Sequence, residues 1–363
     1  MINKVRISNF KGIKNIELNE LSKFNIIGGK NNAGKSTVLE AIFMFYDRLG
    51  PEFLLKQYGW RGITELQITP EDMFFPIFNQ YDFKKNITIE ISTRSEKDTL
   101  EIKYQDPLLN NEITGKRISL ENIDGVVKTE DNIVTSNTKL SMTVKHSNAK
   151  YKKETFDLEL SSNSLSFNIK HATRHNMLNC KFLASKVYQN PTEVAVQYSE
   201  LDINGESDKI VDFLRIIEPK IKSISNVSLP NNRSMLYVDI GISKKIPMSF
   251  MGDGISRLTS ILLAILTTKN GIVFIDEIEN GIHYSVQNKI WKSILKAADE
   301  NNCQIFVSTH SYEFLNACIE GTDEIYRDKL AYFRLEQIED KTQAKRLTYD
   351  NLKTSVSNGW EVR

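Results

Sequence analysis

The chain has 363 residues, 40% hydrophobic and 26% charged, with 47 Lys and Arg against 46 Asp and Glu for a net charge of +1. That composition is ordinary for a globular protein and excludes a global basic field that would hold nucleic acid, leaving room only for a local basic patch. Three scattered cysteines (Cys180, Cys303, Cys318) exclude a disulfide framework or zinc cluster, and the longest apolar run, Ile261 to Leu266, is too short to span a bilayer, so the sequence reads as cytoplasmic with no membrane segment.

In chain order, Met1 to Phe10 alternates as a strand, Ile16 to Leu18 suggests the next, and Phe24 to Ile27 is a short apolar run ending at Gly28-Gly29. From Lys35, apolar residues fall at helical spacing at Val38, Leu39, Ile42, Phe43 and Phe45, continued by Tyr46 and Leu49. A strand, a glycine loop and a helix follow one another. From Ile87 to Ile169 short β-rich pieces (ITIEIST, TLEIKY, SMTVKH, TFDLEL) alternate with polar turns and predict an antiparallel sheet. The stretch from about 172 to 230 is mixed, with a helix near Lys209 to Ile217 stopped by Pro219, and Leu236 to Ile240 is a strand. After Gly252 the pattern turns α/β: helix Ser256 to Thr268, buried strand Ile272 to Ile275, helix His283 to Ala298, buried strand Gln304 to Val307, a helix starting at Tyr312 to Ala317, and an edge hairpin in LAYFRLEQ and KRLTYD. The expected organisation is one α/β head split in sequence, residues 1–85 and 236–363, around a β-rich and mixed insertion, 86–235.

Gly29-Lys30-Asn31-Asn32-Ala33-Gly34-Lys35-Ser36, followed by Thr37, matches G-x-x-x-x-G-K-[ST] at every fixed position, between a strand and a helix. Such a loop wraps phosphate oxygens with backbone N–H groups, Lys35 reaches the β and γ phosphates and the Ser36 hydroxyl holds Mg²⁺. The apolar strand Ile272 to Ile275 delivers Asp276 and Glu277 at its C-terminal end, where open α/β sheets bind ligands; Asp276 is the expected metal ligand and Glu277 the group that orients the attacking water. Ser308-Thr309-His310 ends the next strand. A lone histidine is more often structural, but this position lets His310 reach a γ-phosphate. Ser249-Phe250-Met251-Gly252-Asp253-Gly254 is by itself a glycine turn before a helix, and its order relative to the other motifs is what gives it meaning.

That order resembles the ABC-type ATPases of the SMC and Rad50 class, and most of all their OLD (overcoming lysogenization defect) branch, which Asn9-Phe10-Lys11-Gly12 and DEIENGIHYSVQ support. The resemblance covers about 1–60 and 235–335. It implies an α/β ABC-type P-loop NTPase head with a mixed sheet, an antiparallel β lobe and an inserted, partly helical lobe. Lys35 and Ser36 then stand as Walker A residues, Asp276 and Glu277 as Walker B, and His310 as the switch histidine. Ser249, Gly252, Asp253 and Gly254 resemble the signature that touches ATP bound by a second copy, and Glu279 to His283 resembles the D-loop, with His283 where many members carry aspartate. Phe10 and Lys11 would lie beside the nucleotide. The glutamine this class places on the metal stays open among Gln57, Gln67 and Gln80.

The insertion is β-rich, contains Pro107, Pro191, Pro219 and Pro230, and has no sustained heptad repeat, so no long coiled coil is expected. The stretch after His310 is too short for the Toprim nuclease domain of the OLD branch. The expectation is therefore an ATP- and Mg²⁺-dependent switch that forms a homodimer or higher homo-oligomer and regulates a separate effector, a nuclease or toxin, in anti-phage defence. A DNA-binding or DNA-repair ATPase is the alternative, and a nucleotide-dependent assembly scaffold the second. Lys145, His146, Lys150, Tyr151, Lys152 and Lys153 form the one basic stretch that could meet DNA, although a solvated hairpin tip accounts for it more simply.

Overall fold

The computed structural model describes all residues except 50–52, 64, 68, 106–116, 120–137, 148–152, 162–163, 172–176, 186–189, 231–232, 340 and 363. Its main elements begin with β1 (Lys4–Phe10), β2 (Ile13–Leu18), β3 (Phe24–Gly29) and α1 (Lys35–Tyr46). β4 (Ile87–Ser92), β5 (Lys97–Gln105), β6 (Thr138–His146), β7 (Lys153–Ser161), β8 (Ser164–His171) and β9 (Cys180–Leu183) follow. The chain continues through α2 (Pro191–Ile203), α3 (Ser207–Arg215), α4 (Asp253–Leu266), β10 (Ile272–Ile275), α5 (Tyr284–Glu300), β11 (Gln304–Ser308) and α6 (Tyr312–Gly321), then β12 (Leu330–Ile338) and β13 (Lys341–Thr348).

The chain forms two compact units that interleave in sequence: Met1–Leu21, Gly29–Met177 and Phe333–Arg346 in one, and Ser22–Gly28, Leu178–Tyr332 and Leu347–Arg363 in the other. This division does not follow the expected boundaries at 85 and 235. It cuts the insertion at 177, so the β-rich part belongs with the first residues of the chain and the helical part with the C-terminal half.

The first unit is built on a seven-stranded antiparallel sheet in the order β8-β7-β6-β5-β4-β1-β2. Alternation sets its faces: Ile87, Ile89 and Ile91 are buried while Thr88, Glu90 and Ser92 between them are partly exposed. α1 packs on this sheet through Val38, Leu39, Ile42 and Phe45, all with at most 1% exposure. Just beyond α1, Arg48 runs into the sheet and meets a buried charge cluster. Its guanidinium lies 3.3 Å from Glu154, and His146 stands 3.1 Å from both Glu154 and Asp98. His146 is thus sealed inside the lobe, and Lys145 pairs with Glu101 at 2.8 Å. His146 is therefore not offered to a phosphate backbone, while the Lys145 side chain is 59% exposed. Lys150, Tyr151 and Lys152 lie outside the described residues.

In the second unit β9, β10, β11 and β3 pair in parallel in that order. Their apolar runs (IVFI, QIFVS, FNIIGG) are buried at every position, as strands covered on both faces must be. α4 and α5 belong to the same core, whose largest member, Trp291, is fully buried and donates its indole N–H to Thr322 at 3.0 Å. α4 starts three residues before the expected Ser256. Gly252, at φ 92° and ψ 158°, breaks the preceding turn, and Asp253 then enters the first turn, where the helix dipole favours a carboxylate. His283, expected as the first residue of α5, is instead its N-cap: its Nδ1 accepts from the Ser285 N–H.

Candidate active site

In the first unit, the glycine loop is shaped by two residues without side chains. A Cβ at Gly29 would collide with the Leu335 carbonyl, and Gly34 holds φ 93°, a left-handed conformation that side chains resist, while presenting the first turn of α1. α1 has no side-chain N-cap. The N–H groups of its first turn, which have no acceptor within a helix, therefore face the loop, as anion-binding helix starts do. The Lys35 ammonium is folded into that loop, donating to the carbonyls of Gly29 at 2.9 Å and Lys30 at 3.0 Å. Those carbonyl oxygens occupy the donors a phosphate oxygen would take. Lys30, Asn31 and Asn32 are exposed on the loop, Ala33 is buried, and Ser36 and Thr37 are half-buried.

One turn along α1, Glu40 is 3% exposed and accepts from Lys11 at 2.5 Å and Arg61 at 2.6 Å. Burial pushes the Lys11 ammonium down to about 8, although Glu40 works against that shift. Lys11 has a left-handed φ of 49°, and its main chain is clamped by Ile77 and Asn79. Phe10, expected beside the nucleotide, has 0% exposure, and its backbone bridges to Phe78. The Lys11 ammonium lies 5.3 Å from the centre of the Phe10 ring. Lys11 and Arg61 line a cavity of about 680 Å³ together with Gln57 and Gln80. The Gln57 amide is buried against the Met44 sulfur at 3.6 Å, whereas Gln80, at φ 53°, sits on the exposed wall. The Gln67 side chain lies outside the described residues.

In the second unit, the C-terminal ends of the parallel strands form one edge. Ser308 on β11 pairs with Ile27 on β3, and the Thr309 N–H donates to the Ile27 carbonyl at 3.0 Å. From there the chain runs on through Gly28 into the glycine loop. Two strands over, β10 ends and Asp276 begins a turn. The Ser308 hydroxyl donates to Asp276 Oδ1 at 2.5 Å and accepts from the Glu277 N–H at 2.8 Å, fixing both acids with one side chain. Glu277 holds φ 45°, a left-handed conformation that costs roughly 1–2 kcal/mol in a residue with a side chain. Such strain is retained where the fold over-determines it, and functional sites are where it collects. The Asn280 amide donates to Glu277 Oε2 at 2.8 Å, and Arg257 ties the Ala184 and Asp276 carbonyls together at 3.0 Å each. The His310 ring is 43% exposed, with Nδ1 3.2 Å from Glu279 and 3.9 Å from Glu277.

Ser249, Gly252 and Asp253 are exposed, Gly254 lies against the Gly281 carbonyl, and Phe250 is 79% exposed. A cavity of about 300 Å³ opens beneath this segment, between Met235, Met248 and α4. The structure thus brings Asp276, Glu277 and His310 together in the second unit and the loop residues, Phe10 and Lys11 together in the first. The supporting roles of Ser308, Asn280, Arg257 and Glu40 escaped assignment from sequence. Ser308 had a signal in its place within Ser-Thr-His, and Asn280 in its place within the D-loop-like segment Glu279 to His283.

A phosphate-loop lysine, paired acids at the end of a parallel strand and an antiparallel lobe define an ABC-type P-loop ATPase head. The head of the Smc protein, crystallised with the C-winged helix domain of ScpA, has the same fold: TM-score 0.50 at 12% identity, covering 97% of this chain and 99% of that one. The chain belongs to the family described as "AAA domain, putative AbiEii toxin, Type IV TA system", matched over residues 24–316. A Helicobacter pylori protein named ATP/GTP phosphatase is 26% identical over 347 residues, 91% of this chain and 89% of its own length. The Methanocaldococcus jannaschii protein MJECL10 is 51% identical over 137 residues, 30% of this chain and 61% of its own length.

Proposed function

We propose that this ATPase is a switch in which two copies close on two ATP molecules, each held between Gly29–Thr37 of one copy and Ser249–Gly254 of the other. Hydrolysis reopens them. The observation that carries this reading is the edge of the parallel sheet, where Ser308 binds Asp276 and the Glu277 backbone while Asn280 and Glu279 hold Glu277 and His310. The exposure of Ser249, Phe250, Gly252 and Asp253 supports an outward-facing contact with a second copy.

In this mechanism Lys35 exchanges its two carbonyl partners for the β and γ phosphates, and the α1 start supplies N–H donors to the same oxygens. A hydroxyl and a carboxylate are the hard oxygen donors that magnesium accepts alongside phosphates, so Ser36 and Asp276 would be the residues to hold it. The ion's contribution when bound is to neutralise phosphate charge. Glu277, its carboxylate pinned by Asn280, orients the attacking water and receives its proton. His310 donates to the γ-phosphate, and Lys11 adds positive charge.

The partner regulated by the switch is a separate effector protein, a nuclease or toxin, in an anti-phage setting of the OLD-like kind. The family description, which joins an AAA domain to a toxin–antitoxin system, supports a protein that works with a cognate partner. Among the described residues no cluster of three or more His, Cys, Asp or Glu is arranged to hold a metal by itself. Among the described residues no helix is long and apolar enough to cross a membrane. The burial of His146 takes one residue out of the basic stretch on which the DNA-binding alternative draws, while Lys145 stays exposed.

Lys35→Ala should abolish turnover and weaken ATP binding by about 10- to 150-fold, the worth of one charge-assisted contact at roughly 1.5–3 kcal/mol. Fluorescent ATP titration measures this. Unchanged binding and hydrolysis in that variant would sink the reading.

A further inference from the structure

Glu279 enters the mechanism above only through its hold on the His310 main chain, yet its placement points to more. Its side chain is 8% exposed, although it carries a carboxylate. One oxygen, Oε1, accepts the His310 backbone N–H at 2.9 Å and lies 3.2 Å from Nδ1 of the same histidine. The other, Oε2, is buried with no hydrogen-bond partner among the described residues. Glu279 also adds to the burial that drives the thiol of fully buried Cys318 upward. The carboxylate thus has its polar contacts directed at one residue. A buried carboxylate needs donors, and the main chain supplies one. The second donor within reach is the His310 ring.

From this we infer that Glu279 is the positioning residue of His310. It fixes the proton on Nδ1 and locks the ring, so that Nε2 is the nitrogen turned to the exposed side where substrate arrives. An imidazole's two nitrogens are distinct, and the hydrogen bond made by one decides what the other presents. Glu277 does not compete for this role. It stands farther from Nδ1, at 3.9 Å, and its Oε2 is taken by Asn280. The arrangement divides the work of the turn: Glu277 faces the reacting water, and Glu279 faces the histidine. The alternative is that Glu279 merely pins the His310 backbone. The inference rests on the ATPase reading for its catalytic consequence, but not for its structural one.

Glu279→Gln separates the two roles. The amide oxygen can stand in for Oε1 and still accept the His310 N–H, but it is neutral, so the pull that keeps the proton on Nδ1 is weakened. In nucleotide-free protein with ¹⁵N-labelled histidine, the His310 ring should show Nδ1 protonated in the parent. In Glu279→Gln the Nε2–H form should gain a population that the parent lacks. kcat should fall about 10- to 100-fold with KM for ATP unchanged, the pattern of a lost outer-shell partner felt in the transition state. Glu279→Asp, which keeps the charge, should restore part of the rate, and it serves if the glutamine variant does not fold. An unprotonated Nδ1 in the parent overturns the inference whatever the variants do, as does a Glu279→Gln protein with unaltered tautomer and kcat. If His310→Gln leaves kcat untouched, the catalytic role of His310 fails instead, and the nitrogen spectra still judge what Glu279 does to the ring.

Discussion

Glu277→Gln is expected to bind ATP with parental affinity and to hydrolyse it about 10²–10⁴-fold more slowly, the span that positioned general bases contribute. The argument is geometric. Glu277 sits at φ 45°, its N–H is anchored on Ser308 at 2.8 Å and its Oε2 on Asn280 at 2.8 Å, so the other carboxylate oxygen has a defined direction. Glutamine preserves size and the Asn280 contact but cannot take a proton. With binding kept and turnover blocked, ATP should hold two copies together. Light scattering should show a dimer or larger species with ATP and a smaller one without. Parental turnover in this variant would move the water-orienting role to another residue.

Arg48→Met is expected to destabilise the protein by about 3–5 kcal/mol, since removing one member of a buried ion cluster strands its partners. Arg48 and Glu154 are both 0% exposed, and His146 and Asp98 complete the set. A fall in the unfolding midpoint on the order of 5–15 °C follows. The double variant Arg48→Met, Glu154→Leu should recover part of that loss, because replacing both charges by apolar groups avoids the orphaned carboxylate. Calorimetry of the two variants is the check. A single variant within about 2 °C of the parent would mean that the cluster is not a tie between the end of α1 and the sheet.

How much of this was legible in the sequence depends on how local each feature is. The phosphate loop could be read because glycine, lysine and serine at fixed spacing dictate one local shape. β10 and β11 could be read because parallel strands covered on both faces are unbroken apolar runs. The β lobe showed its alternation, as in Ile87, Ile89 and Ile91. What escaped was long-range. Glu40 meets Lys11 and Arg61 across 29 and 21 positions, and Arg257 reaches back 73 positions to Ala184. No local spacing records such pairs. The resemblance places Phe10 beside the nucleotide, while its full burial reflects the inward face of the strand end it occupies, which no local spacing marks. The interleaving of the two units is equally invisible in composition, because the chain changes unit between two adjacent glycines, Gly28 and Gly29, at the first residue of the phosphate-loop motif.

The most direct test of the central claim is ATP hydrolysis per protomer as a function of protein concentration, with Glu277→Gln as the control. If each site is completed by a second copy, the specific rate rises with concentration towards a plateau and is lost in the control. A specific rate independent of concentration across the range where the protein passes from monomer to dimer would contradict the shared site.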